Sequence, residues 1–274
     1  GIYFAGLMFV GSNATSFDFL TRSETWIPFS TLMIGAFVGF LNDLLDISVE
    51  GRGLALSRRI IVVLALSGFI GWWFYEKLAV TMIDVPFGSP IVLGPLIIPA
   101  FMLLSLLLYA SGVIDGIDGL SGGVFGSVFA SYAIIAFAEG QIDLAAFCAT
   151  VLGGILAFLW FNVPPARFYM SETGTMGLTL TIAVVAFMTD NLSGVGGVGI
   201  VVLPIIGALL MLTVLSNVVQ VFSKHVFHRK FFRIAPLHHH FEAIGWPGYK
   251  VVMRYWILSV IFAFAGVILA LAVL

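Results

Sequence analysis

The chain has 274 residues, of which 61% are hydrophobic and only 9% are charged, and its mean hydropathy is +1.13. Because a soluble domain carries roughly 25% charged residues, this composition excludes a soluble protein and indicates that most of the exterior faces lipid. The formal net charge of −2 does not indicate a nucleic-acid partner, and we expect none. The single cysteine, Cys148, lies in an apolar run and is expected to pack as a small buried hydrophobe.

Apolar runs separated by polar or Gly/Pro-rich breaks predict a series of membrane helices. The predicted helices span residues 27–41, 59–75, 94–111, 124–138, 144–161, 175–189, 198–222 and 252–274. Several are shorter than the roughly 20 residues that cross a bilayer, so we expect their ends to extend into the flanking loops.

The opening segment, Gly1–Val10, is apolar but too short to cross about 30 Å of hydrocarbon, and it lacks the basic residues that open a signal peptide. We interpret it as the end of a helix whose start is missing, which gives about nine segments. The sequence therefore predicts an all-α, polytopic membrane helix bundle in which residues 1–274 form a single domain.

The basic residues fall mainly on one side of the predicted bundle. Alternation through the spans places loops on that side at 42–58, 112–123, 162–174 and 223–251. Of the 12 lysines and arginines, the other side holds only Arg22 and Lys77, when Arg254 is placed at the boundary of the first side. Because lysine and arginine concentrate in cytoplasmic loops, we predict that the first side faces the cytoplasm.

Acidic residues recur in these cytoplasmic loops. Asp43 and Asp46 are three residues apart, so on a continuing helix they share a face at the membrane boundary, either as helix-end acids in water or as ligands. Asp115 and Asp118 have the same spacing among glycines, which let a backbone or phosphate approach closely. Acids beside a membrane are costly unless they meet water, a partner or a metal. With Glu172 in the third loop, they predict an Mg²⁺ site of the kind that handles pyrophosphate.

The fourth loop contains three consecutive histidines, His238, His239 and His240. Consecutive side chains point in different directions on a regular backbone, so they do not by themselves form a zinc site. Donors with a pKa near neutrality beside lysine and arginine suit an anionic, phosphate-bearing ligand. The aromatic pair Phe168 and Tyr169 in the third loop is, taken alone, more typical of residues at a membrane interface. A phosphate site embedded in a membrane implies that one substrate is a lipid.

Several stretches carry a family resemblance that runs through the whole chain. They are Asp115-Gly-Ile-Asp118-Gly-Leu, Phe161-Asn162 with Pro165-Ala166, Ala235-Pro-Leu-His-His-His-Phe-Glu242 and Gly245-Trp-Pro247, with support from Gly53-Leu54, Arg58, Arg59, Leu215-Ser216, Gln220, Arg254 and Trp256. In the same order, they resemble the phospho-N-acetylmuramoyl-pentapeptide transferases of the polyprenyl-phosphate N-acetylhexosamine-1-phosphate transferase superfamily. That family has ten transmembrane helices, and Gly1 resembles the end of the Thr-Pro-Thr-Met-Gly-Gly stretch that precedes its second helix.

The resemblance implies Mg²⁺-dependent transfer of phospho-MurNAc-pentapeptide from UDP-MurNAc-pentapeptide to undecaprenyl phosphate, which gives lipid I and UMP. It also implies a multi-pass protein of the bacterial inner membrane whose active site faces the cytoplasm. The expected role is peptidoglycan synthesis for the cell wall, and with it cell division and cell shape. The family precedent suggests a homodimer.

Carried over by position, the resemblance assigns catalytic roles to Asp43, Asp115 and Glu172, and metal binding to Asp115 and Glu172. The substrate-binding positions are Asn42, Asp118, Asn162, Tyr169, His238, His239 and His240. Among these, Asp118, Asn162 and Tyr169 fall on positions of the uridine pocket, with Tyr169 where an aromatic ring stacks on uracil.

The chain departs from the family pattern at five positions of this site. Asn42 replaces the first of two paired aspartates, Asp46 a lysine, Gly112 an asparagine, Ser171 a glycine and Glu172 a metal-binding aspartate. Because glutamate is longer than aspartate by one methylene group, the carboxylate of Glu172 is displaced by more than about 1 Å from the position that an aspartate would give it. Functional groups in such sites must be placed to within about 0.5 Å. We hypothesise that Asp46 partly restores the charge lost at Asn42.

Other functions stay open at this point. A related transferase that uses UDP-N-acetylglucosamine is disfavoured by the histidine motif, and the five departures leave open a catalytically silent homologue that binds UDP-sugar or lipid phosphate. A transporter or channel would carry ionisable groups near the middle of the bilayer, whereas the acids here lie at one interface.

Overall fold

The computed structural model describes residues 25–48, 53–191 and 197–274, so the opening apolar segment lies outside the described residues. The helices are α1 (Trp26–Ser48), α2 (Leu56–Lys77), α3 (Ile97–Ser111), α4 (Leu120–Ala138), α5 (Ile142–Asn162), α6 (Ser171–Asn191), α7 (Gly199–Ile206), α8 (Ala208–Val226), α9 (Leu237–Ala243) and α10 (Gly248–Leu271). Two short strands, β1 (Met82–Ile83) and β2 (Ile91–Val92), pair antiparallel between α2 and α3. Within the described ranges, 8 helices are long and apolar enough to cross a membrane. The predicted all-α bundle is confirmed, and the chain is a multi-pass membrane protein.

The observed helices extend beyond most of the predicted ends, as the thickness of a bilayer requires. Helix α1 continues through Ser48, which keeps both of its acidic residues on one regular helix. The single helix predicted over 198–222 is wrong, because the chain forms α7 and α8, which meet at Gly207. Pro204 inside α7 lacks a backbone N–H, so the hydrogen-bond ladder is already weakened one turn before Gly207.

Helix α6 occupies the centre of the bundle and is the most buried of the described spans. It contacts α1, α3, α4 and α7. Buried hydroxyls are costly without partners, and in α6 four of the five threonine hydroxyls donate to the carbonyl four residues earlier. These bonds join Thr175 to Ser171, Thr179 to Thr175, Thr181 to Gly177 and Thr189 to Val185. A helix with several polar residues can therefore run through the middle of the protein.

Glycines bring α1 into backbone contact with α6. Gly35 and Gly39 are four residues apart, which is the spacing of small residues that lets membrane helices approach closely. A Cβ atom on Gly35 would lie 3.0 Å from the Cα of Gly177, and one on Gly39 would overlap the carbonyl group of Glu172. The contact therefore places the first turn of α6 directly against the last turns of α1.

Substituting Gly39 with alanine should force α1 away from α6, because the added methyl group would meet rigid backbone. We expect Gly39→Ala to lose about 1–3 kcal/mol of stability and to lower the Tm of the purified protein. Gly153 on α5 is the matched control, since a Cβ atom there meets nothing within 4 Å. Gly153→Ala should leave the Tm unchanged or raise it. An equal loss in both variants would contradict the role of the contact.

Candidate active site

A cavity of about 870 Å³ lies where α1, α2, α3 and α6 meet at one end of the bundle. Its lining includes four of the residues to which the resemblance assigns a role, Asn42, Asp43, Asp115 and Glu172. It also includes the other three positions that depart from the family pattern, Asp46, Gly112 and Ser171. The structure thus brings the first, second and third acidic loops together, as the sequence predicts.

Asp43 joins α1 to the beginning of α6. Its Oδ1 accepts a hydrogen bond from the backbone N–H of Glu172 at 3.3 Å, and its Oδ2 accepts bonds from the N–H of Thr173 at 2.9 Å and from the Thr173 hydroxyl at 2.6 Å. A carboxylate at a helix N-terminus satisfies amides that have no partner within the helix and interacts favourably with the helix dipole. Asp43 therefore fixes the turn that carries Glu172 into the cavity.

Asp115 is held from two directions. Its Oδ1 accepts a bond from the Ser121 hydroxyl at 2.5 Å, and its Oδ2 accepts one from the N–H of Ser171 at 2.9 Å. Burial raises the pKa of Asp115, and although these two bonds lower it, the charges of Asp118 and Asp43 raise it further. The net shift is upward, so the charged form of Asp115 lacks a sufficient counter-charge from the protein alone.

Among the described residues, Arg59 is the only cationic residue that forms an ion pair with a carboxylate of the cavity. Its Nη1 lies 2.5 Å from Oε1 of Glu172, and the two side chains are only 23% and 29% exposed. The sequence drew attention to Arg58 and Arg59 as a pair but assigned neither a role in the site. Because α2 begins at Leu56, helical phase turns Arg59 into the cavity and leaves Arg58 exposed.

Asn42 and Asp46 hold the turn that leads into α2. The N–H of Leu54 donates to Oδ1 of Asn42 at 2.8 Å, and the N–H of Gly53 donates to Oδ1 of Asp46 at 3.1 Å. A Cβ atom on Gly53 would lie 2.8 Å from Oδ1 of Asn42, so glycine permits this close approach. Two of the departures from the family pattern therefore anchor the segment that precedes Arg59.

Six of the seven predicted substrate residues lie outside the lining of this cavity, and Asp118, Asn162 and Tyr169 are three of them. Asp118 accepts a bond from the N–H of Ala166 at 3.0 Å. Asn162 accepts one from the N–H of Gly119 at 2.9 Å and donates to the carbonyl of Phe168 at 2.9 Å. These bonds tie the second loop to the third, whereas the exposed Tyr169 lines a separate apolar groove of about 700 Å³ between α1, α5 and α6.

The three histidines have different hydrogen-bond partners. The expectation that consecutive side chains diverge is wrong for His238 and His239, whose ring centroids lie 4.4 Å apart and which both face Gly116. His238 is buried, neither of its ring nitrogens has a partner among the described residues, and burial followed by the charge of His239 lowers its pKa to about 3. Nδ1 of His239 lies 2.8 Å from Oε2 of Glu242, and Nδ1 of His240 accepts a bond from the N–H of Arg233 at 3.1 Å.

The histidine motif packs against the second loop. A Cβ atom on Gly116 would lie 2.7 Å from Nε2 of His238 and 2.6 Å from Nε2 of His239. The motif is therefore next to Asp115 in the chain's fold, although none of the three histidines lines the carboxylate cavity. A larger residue at Gly116 would displace both rings.

The donor atoms of the cavity suit a hard divalent cation. Carboxylate oxygens of Asp115 and Glu172 are the ligands that Mg²⁺ prefers, and the raised pKa of Asp115 indicates charge that a cation would neutralise. Among the described residues, no three acidic, histidine or cysteine side chains converge closely enough to hold a metal by themselves. A cation held by Asp115 and Glu172 would therefore need water or phosphate oxygens as its other ligands, as Mg²⁺ usually has.

Comparisons with known proteins decide the family. The sequence profile of glycosyl transferase family 4 matches residues 25–190. The chain is 37% identical over 244 residues to the phospho-N-acetylmuramoyl-pentapeptide-transferase of Clostridium perfringens (strain SM101 / Type A), which covers 88% of this chain and 73% of that protein. It is 31% identical over 249 residues to the enzyme of that name from Geobacillus sp. (strain WCH70), covering 89% and 74%, and 32% identical over 239 residues to that from Clostridioides difficile (strain 630), covering 85% and 71%.

The chain belongs to the phospho-N-acetylmuramoyl-pentapeptide transferase family. The resemblance found in the motifs is therefore confirmed, and the protein is a membrane-bound phosphosugar transferase. The family profile covers α1 to α6, which are the helices that supply the carboxylates of the cavity.

The pair of Arg59 and Glu172 should be coupled in a double-mutant cycle. Removing either partner leaves a largely buried charge unpaired, so Arg59→Gln and Glu172→Gln should each lower stability, and the double variant should lose less than the sum by about 1–2 kcal/mol. Thermal unfolding of the purified variants measures the coupling. Arg58→Gln combined with Glu172→Gln is the control and should be additive. If the stability losses of Arg59→Gln and Glu172→Gln were also additive, the ion pair would contribute no stability.

Proposed function

We propose that the chain transfers phospho-MurNAc-pentapeptide from UDP-MurNAc-pentapeptide to undecaprenyl phosphate in the presence of Mg²⁺, giving lipid I and UMP for peptidoglycan synthesis. The observation that carries the proposal is the carboxylate cavity at one end of a membrane bundle, with Arg59 beside Glu172. The cavity is lined both by the ends of membrane helices and by the adjoining loops. A lipid phosphate in the membrane and a soluble nucleotide-sugar could therefore both reach it. The names and coverage of the relatives support the same reaction.

Asp43, Asp115 and Glu172 are the proposed catalytic residues. Asp115 and Glu172 would hold Mg²⁺, and a bound cation neutralises negative charge on the pyrophosphate. Asp43 lines the same cavity, and the three hydrogen bonds that its carboxylate accepts also fix the position of Glu172. The lipid phosphate is already largely anionic near neutral pH, so we assign no general base to the reaction.

Arg59 is proposed to bind substrate phosphate. Its guanidinium lines the cavity and presents a planar set of donors that matches phosphate oxygens, while Glu172 holds it in place before substrate arrives. Holding the lipid phosphate in line with the β-phosphorus of the nucleotide-sugar would supply much of the rate enhancement, because orientation removes an entropic cost from the reaction.

The remaining predicted residues form the proposed nucleotide-sugar side of the site. Asp118 and Asn162 hold the second and third loops in register, and the exposed ring of Tyr169 is available to stack on uracil. His238, His239 and His240 would contact the phosphosugar from the motif that packs on Gly116, and Asn42 would act by fixing the turn before α2.

We further propose that the protein resides in a bacterial inner membrane as a homodimer, with the cavity on the cytoplasmic side. The distribution of lysine and arginine in the sequence supports this orientation. Cell division and cell shape would depend on the activity through the cell wall.

Release of UMP tests the proposed reaction. The full chain, given UDP-MurNAc-pentapeptide, undecaprenyl phosphate and Mg²⁺, should release UMP. Asp115→Asn should reduce the rate at least about 100-fold, because it removes a carboxylate proposed to hold the cation that neutralises negative charge on the pyrophosphate. Glu76→Gln removes an exposed carboxylate distant from the cavity and should leave the rate unchanged.

Two results would contradict this proposal. Retained nucleotide binding without UMP release would indicate a catalytically silent homologue. Turnover with UDP-N-acetylglucosamine in place of the MurNAc substrate would assign the chain to the related transferases.

A further inference from the structure

A second, oppositely charged pocket adjoins the carboxylate cavity. It has a volume of about 280 Å³, and Lys224, Lys230 and Arg233 line it together with Asn217, which also lines the cavity. Within the described ranges, none of these three cations has a carboxylate at ion-pair distance. Three cations without an internal counter-charge indicate a pocket for an external anion.

The pocket is built by side chains that are buried on one face of α8. The amide of Gln220 accepts a bond from the N–H of Phe232 at 2.9 Å and donates to the carbonyl of the same residue at 3.1 Å. The Ser223 hydroxyl donates to the carbonyl of Arg229 at 2.8 Å, and the Ser216 hydroxyl accepts a bond from the N–H of Leu237 at 3.0 Å. These contacts fold the following loop back along the helix, so the loop cations face Lys224.

The position of the pocket favours a lipid over a soluble anion. Lys224 lies in the last turn of α8, a membrane span, where it meets the aqueous boundary. The exposed side chains of Val221 and Ile234 line the pocket beside the cations. The exposed rings of Phe222, Phe227 and Phe231 line a separate pocket of about 450 Å³ that shares Lys230 with it. Basic pockets next to membrane helices, with apolar groups beside them, are typical of sites for anionic lipid headgroups.

We propose that this pocket binds the phosphate headgroup of an anionic phospholipid of the bilayer, separately from the lipid that reacts. The volume is too small for a nucleotide-sugar and leaves room for a single phosphate-bearing headgroup. A lipid bound there would also be linked to the histidine motif, because Nη1 of Arg233 donates to the carbonyl of Ala243 and its N–H donates to His240. The proposal does not depend on which nucleotide-sugar the enzyme uses.

Lipid binding tests the proposal without any measurement of turnover. The purified full chain in neutral-detergent micelles is titrated into phosphatidylglycerol that carries a fluorescent acyl chain, and anisotropy reports binding. Unlabelled phosphatidylglycerol should displace the probe, and phosphatidylcholine should not. Lys224→Gln with Lys230→Gln should weaken binding about 25-fold, since each cation near a membrane surface contributes about a fivefold preference for anionic lipid.

Two matched variants control for charge and fold. Arg167→Gln with Lys77→Gln removes the same number of exposed positive charges elsewhere and should leave the affinity unchanged. Lys224→Arg with Lys230→Arg keeps both charges and should retain binding. Should the glutamine variant fail to fold, the wild-type chain gives a second measurement, because its affinity for phosphatidylglycerol must fall as NaCl rises.

Four results would overturn the proposal. They are equal displacement by phosphatidylcholine, an equal loss of affinity in the control variant, wild-type affinity that does not respond to NaCl, and displacement of the probe by undecaprenyl phosphate more effectively than by phosphatidylglycerol. The last result would assign the pocket to the headgroup of the reacting lipid.

Discussion

The backbone contact between α1 and α6 is the constraint on which the rest of the site depends. Because Gly39 lies against the carbonyl of Glu172, Asp43, one turn further along α1, can reach the free amides at the beginning of α6. A carboxylate at a membrane boundary is costly when it lacks a partner. Here the partners are backbone N–H groups, so the packing of two helices and the placement of an acid have the same cause. A side chain at Gly39 would separate α1 from α6, and this would disrupt both the helix packing and the hydrogen bonds of Asp43.

The five departures from the family pattern are best understood as parts of this one cavity, since all of them line it. Asn42 and Asp46 fix the turn before α2, Ser171 donates its N–H to Asp115, and Glu172 reaches Arg59. Gly112 fits the same geometry, because a Cβ atom there would lie 3.2 Å from Cβ of Thr175. The hypothesis that Asp46 compensates for Asn42 through charge stays a prediction, and the structure adds a positioning role for both residues.

Hydropathy and charge were sufficient to predict the membrane spans, because they report which residues face lipid and which loops are basic. The assignment of loops to one side likewise grouped Asp43, Asp115 and Glu172, but it also included Asp118, which lies outside the cavity lining. The sequence did not separate Arg59 from Arg58, since that choice depends on where α2 begins. It also missed Thr173 and Ser121, whose hydroxyls bond the acids, and the break at Gly207. Such features depend on which helices touch, and hydropathy does not encode that.

Cation affinity tests the central claim most directly, with Mn²⁺ as a paramagnetic substitute for Mg²⁺. An electron paramagnetic resonance titration of the purified chain should show one bound Mn²⁺, and Gly39→Ala should weaken its binding about tenfold or more, although glycine has no side chain to act as a ligand. The expected loss follows from movement of the first turn of α6, which carries Glu172. An unchanged Mn²⁺ affinity in folded Gly39→Ala would contradict the account, because it would mean that the cation site does not depend on the contact between α1 and α6.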